Sequence, residues 1–233
     1  MRVRIKFSKH GIVKFIGHLD FMRYFQKAIR RAGIDVTYSS GFSPHQVMSF
    51  ASPLGVGHCS NGDYFDIELN SHQGRQDMID RLNQSMVEGV VIENIVALGE
   101  NAGNAMASVA AAAYTIEWKK GYEVPENLSD KIADFYNQSK IMVTKQTKKS
   151  TLELDLKPGI YEIKATENTM FFLVDASSSG NIKPTLLLEA FYAFIGKEFD
   201  PLAIQITREE TYTDLGKNGK RELVPLDAVG EDF

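Results

Sequence analysis

The side chains best suited to chemistry lie within residues 10–58. His18 stands in the corner Gly17-His18-Leu19-Asp20, where an imidazole titrating near neutrality suits a general acid or base and Asp20 suits its orientation. The same two residues also have a purely structural reading: Asp20 favours the positive end of a helix, and His18 caps or packs. Arg23, Lys27, Arg30 and Arg31 follow at spacings that put them on one side of a helix, with Tyr24 beside them, a set suited to phosphates. Next comes the loop Gly41-Phe42-Ser43-Pro44-His45. Phe42 there can stack on a base and Ser43 can bond a phosphate, or Phe42 can plug the core while His45 starts a strand. His45 is a second imidazole for an acid–base pair with His18.

Other chemistries are disfavoured. His10, His18, His45, His58 and His72 include no i, i+4 pair on one helix and no tight cluster with acids, so no metal site is expected. Cys59 is the one cysteine, which excludes an internal disulfide and a cysteine-based cluster, and its neighbour His58 reads as incidental. There is no GxxxxGK[ST] loop and no GxGxxG motif. No cofactor is expected.

These residues need elements to hold them. Val3, Ile5 and Phe7 alternate with Arg2, Arg4 and Lys6, a strand with one apolar and one basic face. Residues 12–16 read as a second extended piece. A helix over 19–32 buries Leu19, Met22, Phe25, Ile29 and Ala32, and Gly33 ends it. Strands are expected over 35–38, 46–50, 64–69 and 90–98, with a helix over 75–87. Residues 99–108 (GENAGNAMAS) read as a linker. The order then repeats: strand 111–118, helix 128–138, strands 141–145, 151–156 and 170–174, a helix from Pro184 to Phe194, and strand 204–213. The fold class expected is α+β: two tandem ferredoxin-like (βαββαβ) domains with mainly antiparallel sheets, spanning 1–99 and 109–214, followed by a tail, 215–233, that frays.

The 233 residues are 43% hydrophobic and 24% charged, an ordinary soluble composition. No apolar run approaches the roughly 18 residues of a membrane helix. The opening MRVRIKF lacks a signal-peptide core, and with so little cysteine a cytoplasmic location is expected. The net charge of −4 is uneven: residues 1–60 hold nine Lys/Arg against two acids, and the remaining 173 hold 17 basic and 28 acidic residues. Such a basic segment either attracts a phosphate backbone or docks on an acidic face of its own chain. Lys145, Lys148, Lys149, Lys157 and Lys164 alternate with Glu153, Asp155 and Glu162 and read as a solvated sheet face.

The stretch FIGHLDFMRYFQKAIRRAGIDVTYSSGFSPHQVMSFASPLGVG resembles the signature of the radical-SAM-linked proteins, a bacterial family of unknown function. The resemblance rests on the HLD corner of His18, Leu19 and Asp20, and on Arg30-Arg31-Ala32-Gly33. It continues through Tyr38, Ser39, Gly41, Phe42, Pro44 and His45, and ends on Ser49, Phe50, Pro53, Leu54 and Gly57. DYFDIEL, GNIKPTLLLEAF and ITREETY extend it along nearly the whole chain. What it implies is a radical S-adenosylmethionine enzyme as partner. The chain lacks the CxxxCxxC ligands of such an enzyme. Tandem ferredoxin-like domains are also similar to CRISPR RNA-processing endonucleases, an analogy of fold alone.

Three functions are therefore expected in order. The first is a non-catalytic accessory protein that binds RNA, tRNA or rRNA, through Arg23, Lys27, Arg30, Arg31, Phe42 and Ser43, and presents it to the radical S-adenosylmethionine enzyme. The second is a metal-independent RNA endonuclease or transferase using His18 and His45. The third is a protein-interaction module that binds no nucleic acid.

Overall fold

A computed structural model describes residues 1–146 and 151–233. The protein is α+β, with mainly antiparallel strands and five α-helices among the described residues. It divides into two compact units, Met1–Ala110 with Arg208–Phe233, and Ala111–Thr207. The sequence reading instead sets boundaries at 99, 109 and 214.

Unit 1 runs β1 (Arg2–Lys9), a 3-10 turn (Gly11–Phe15), α1 (His18–Arg31), β2 (Met48–Phe50), β3 (Cys59–Glu68), α2 (Arg75–Ser85), β4 (Val90–Ala97) and α3 (Ala105–Ser108). β1 lies between β3 and β4, antiparallel to both, and β2 pairs with the far half of β3. Alternation explains the core. Val3, Ile5 and Phe7 of β1 and Phe65 and Ile67 of β3 project from one face and meet Phe21, Phe25 and Ile29 of α1 and Met78 and Leu82 of α2. Phe25 is the hub, with ring centroids 4.6 Å from Phe65 and 4.9 Å from Phe7. Burial of one such phenyl group contributes about 2–3 kcal/mol.

Three expectations change here. Residues 11–15 form a 3-10 turn, not a strand, and 35–38 contribute only isolated bridges, Val36 to Leu69 and Tyr38 to Gln46. The buried stripe of α1 is Phe21, Phe25, Ala28 and Ile29, continued by Ala32, while Leu19 is 63% exposed. The aromatic rings at 21 and 25 rotate the helix toward the phenylalanine cluster and turn position 19 out to solvent.

The other face of the unit 1 sheet is not the basic, solvated face that alternation suggests. Arg4 is fully buried and makes paired bonds to Asp66, 2.8 and 3.0 Å, and one to the Leu226 carbonyl, 3.0 Å. Lys6 pairs with Glu210. The covering segments are those read as linker and tail. Gly103 and Ser108 lie beside the Arg4 guanidinium, and Leu226 is fully buried. Thus 215–233 do not fray: β11 (Leu223–Pro225) pairs with β10 (Ile204–Asp214), and Glu231 bridges to Ala97. Tyr64 donates toward Glu210 at 2.7 Å and Asp227 at 3.0 Å, and burial with those carboxylates pushes its hydroxyl well above the usual phenol range.

Unit 2 holds β5 (Ala111–Trp118), α4 (Leu128–Asn137), the hairpin β6 (Met142–Gln146) and β7 (Thr151–Asp155), β8 (Ile160–Ala165), β9 (Thr169–Asp175) and α5 (Pro184–Phe194). β5, β9 and β8 are neighbours in that order, antiparallel throughout. The strand over 160–165 was not anticipated. Its inward positions, Ile160 apart, are only partly buried, so its alternation is weak. Of the expected basic sheet face, Lys148 and Lys149 lie outside the described residues.

Candidate functional site

Helix α1 begins after Gly17, which is extended and offers no side-chain cap, so Asp20 in the first turn supplies the favourable negative charge. The helix ends at Gly33, φ +61°, a left-handed conformation that glycine adopts without strain. Arg81 of α2 donates to the Ala32 carbonyl at 2.9 Å and the Gly33 carbonyl at 2.6 Å, covering the last orphan acceptors. With Phe21, Phe25 and Ile29 inward, Arg23, Lys27, Arg30 and Arg31 are exposed together on the outer side. Arg23 pairs with Asp20 at 3.1 Å, a surface contact worth about 0–1 kcal/mol, and Arg31 donates to the Ser85 carbonyl.

The Ser39–His45 loop closes on itself at its neck. Ser39 N donates to the His45 carbonyl, His45 N donates to Ser39 Oγ, and Ser39 Oγ lies 2.9 Å from His45 Nδ1. Its base is tied to α1 by Gln46, whose amide donates to the Gln26 carbonyl at 3.2 Å. Phe42 at the tip is fully exposed and Ser43 is exposed beside it, so Phe42 is no core plug. The cation row and an unburied aromatic therefore belong to one helix and a loop anchored to it.

His18 has a different setting. Its ring meets Phe50 edge-on, centroids 5.4 Å apart, and borders a cavity of about 10 Å³ shared with Lys9 and Asp63, room for one water at most. Lys9 continues the inward row Val3, Ile5, Phe7. Its ammonium donates to the Ile16 carbonyl at 2.9 Å and sits 4.3 Å from the Phe21 ring centre. Asp63 continues the inward row of Phe65 and Ile67 and holds Arg208 at 2.6 Å, and Arg208 also donates to the Ser52 carbonyl. His58 packs its ring against Gly55, where a Cβ would come within 2.7 Å of it.

These burials set the charge states. Desolvation lowers Lys9 below the usual lysine range, opposed by Asp63. Desolvation also lowers His18, opposed by Asp63 and aided by Lys9. His58 is pushed down to about 4 by burial, then by Arg208 and Lys9. The unfolded chain thus protonates His58 first as pH falls. Its contribution is intact above about pH 6.5 and lost progressively down to about pH 4, on the order of 2 kcal/mol after allowance for partial exposure. Urea unfolding across that range should show this acid loss in the native chain and a shallower one in His58→Gln. Equal slopes contradict the assignment.

The structure brings Arg23, Lys27, Arg30 and Arg31 together on α1 and sets Phe42 and Ser43 in a loop tied to that helix. His45 bonds Ser39 and His18 packs on Phe50, and among the described residues no hydrogen bond or ring contact links the two imidazoles. Asp20 faces Arg23 rather than His18. The sequence reading overlooks Lys9, Asp63 and Arg208, and takes His58 as incidental. A signal existed for two of them: Lys9 and Asp63 are charges of opposite sign standing in phase with apolar rows on adjacent strands. Among the described residues no group of three or more His, Cys, Asp or Glu is arranged to hold a metal ion. No helix among them is long and apolar enough to cross a membrane.

No curated protein matches the chain. Residues 2–184, which contain α1, the Ser39–His45 loop and the Lys9–Asp63 pair, match DUF2344, described as an uncharacterized protein conserved in bacteria, and the chain belongs to that family.

Proposed function

We propose that this chain is a non-catalytic, cytoplasmic RNA-binding accessory protein that works with a radical S-adenosylmethionine enzyme. One observation carries the RNA part: four exposed cations on one side of α1, with a fully exposed phenylalanine on the loop anchored to that helix. Cations neutralise phosphates and the ring offers a stacking surface for an unpaired base. The cations of β1 do not take part, since Arg4 and Lys9 are buried, Lys6 is paired with Glu210 and Arg2 donates to the Ala102 carbonyl. The partner rests on the resemblance in residues 14–57. We also read the βαββαβ order of unit 1, with strand order β4-β1-β3-β2, as ferredoxin-like, and unit 2 as the same plan with the β6–β7 hairpin inserted.

If the four α1 cations each neutralise one phosphate of a single strand, log affinity falls against log salt with a slope of about −3. Anisotropy titrations of a labelled RNA oligomer over a salt series measure this. No affinity at low salt ends the RNA reading. A tagged chain that retains a radical S-adenosylmethionine enzyme after nuclease treatment supports the partner, and its loss on treatment points to RNA as the only link. The protein-interaction reading has its own support in Ile12 and Phe15, exposed on one side of the 3-10 turn, and Leu19, exposed on α1. An acidic protein that competes with RNA for α1 favours it.

A further inference from the structure

Among the described residues, one buried side-chain polar atom has no hydrogen-bond partner: Oε1 of Gln46, at the neck of the Ser39–His45 loop. Gln46 is 5% exposed. Its Nε2 donates to the Gln26 carbonyl of α1 at 3.2 Å and lies 3.5 Å from the Tyr38 hydroxyl. Exchanging the amide oxygen and nitrogen would set oxygen against the Gln26 carbonyl, so α1 fixes which end is left over. A native fold rarely leaves such an acceptor unmet, and a leucine of similar volume would avoid the cost. The neighbouring Tyr38 is 48% exposed, so the Gln46 side chain is overlain by a residue open to solvent. It sits between the helix that carries the cations and the loop that carries Phe42.

We propose that Gln46 Oε1 accepts a hydrogen bond from the exocyclic amino group of an unpaired nucleobase that enters beside Tyr38, so that this face takes single-stranded, amino-base RNA. The inference rests on the reading of this face as an RNA surface. A paired base has its amino group already engaged, which disfavours duplex. Uracil offers one ring N–H between two carbonyl oxygens, and with the Gln46 amide hydrogens taken those oxygens are left to the Tyr38 hydroxyl, a poorer match than an amino donor. Adenine and cytosine present the amino donor directly. Tyr38, displaced from over the amide, and Phe42 supply stacking faces.

The test compares oligoadenylate, oligocytidylate, oligouridylate and an RNA hairpin of equal charge, on the native chain and on Gln46→Leu and Gln46→Met. The native chain should bind oligoadenylate and oligocytidylate about tenfold or more tighter than oligouridylate, and the hairpin more weakly still. Both variants should lose that preference and keep the salt slope of the native chain. If the native chain binds all strands equally, or if Gln46→Leu keeps the preference, the base contact is overturned while RNA binding stands. If the native chain binds none of them, the RNA reading itself fails. The native preference needs no variant, so a variant that misfolds does not shield the proposal.

Discussion

Asp63→Ala should destabilise unit 1 by about 3–5 kcal/mol, as breaking a buried ion pair does. Asp63 and Arg208 are both buried and lie 2.6 Å apart. Deleting the carboxylate takes from the buried Arg208 guanidinium its 2.6 Å ion pair, while its bonds to the Ser52 and Pro53 carbonyls bring no compensating charge. It also removes the charge that opposes the desolvation of Lys9 more than Cys59 does, so both cations lose the same carboxylate in a single step. Replacing the pair together, Asp63→Leu with Arg208→Met, should cost less, because the Arg208 guanidinium is then not stranded and the loss of the carboxylate beside Lys9 is what remains. Chemical unfolding of the native chain, the single variant and the double variant separates the cases. A single variant within about 0.5 kcal/mol of native, as an exposed site behaves, would show the pair to be incidental.

The second large effect is on binding. Replacing Arg23, Lys27, Arg30 and Arg31 together by glutamine should weaken RNA affinity on the order of 100-fold at low salt and bring the salt slope close to zero. Stability should barely change, since the four side chains are exposed and their contacts, Arg23 to Asp20 and Arg31 to the Ser85 carbonyl, are surface ones. The same titration on a variant lacking Lys217 and Lys220, exposed cations of the 215–233 segment, is the control. Equal losses in both would mean diffuse attraction rather than a site on α1.

Much of the fold was legible because its signals are local. The 184–194 helix and the 111–118 strand match the expected bounds, one with proline at its first turn and the other a run of small and β-forming side chains. The outward cations of α1 were legible for the same reason: side chains three and four residues apart share a side whatever the helix packs against. The exposure of Phe42 was not. A ring between Gly41 and Ser43 can be a plug or a tip, and the choice depends on what lies under the loop. Leu19 and Phe21 show the same limit. Both fit a helical stripe, and the phenylalanines of β1, β2 and β3 select the second.

From the sequence alone came the α+β class, the helix with its cation row and the glycine that ends it, and the imidazole-bearing loop. Each follows from period and composition within a dozen or so residues. Tertiary structure alone decided what became of the other charges. Arg4 reads as a surface cation until the Leu226 carbonyl, 222 positions away, closes over it. Asp63 meets Arg208 across 145 positions, and Gln46 gives its amide hydrogen to the Gln26 carbonyl of α1 and leaves Oε1 unmet. A charge on a strand has the same local pattern whether solvent or another segment covers it. The desolvation that makes it costly, paired or reactive arises only when distant parts of the chain arrive.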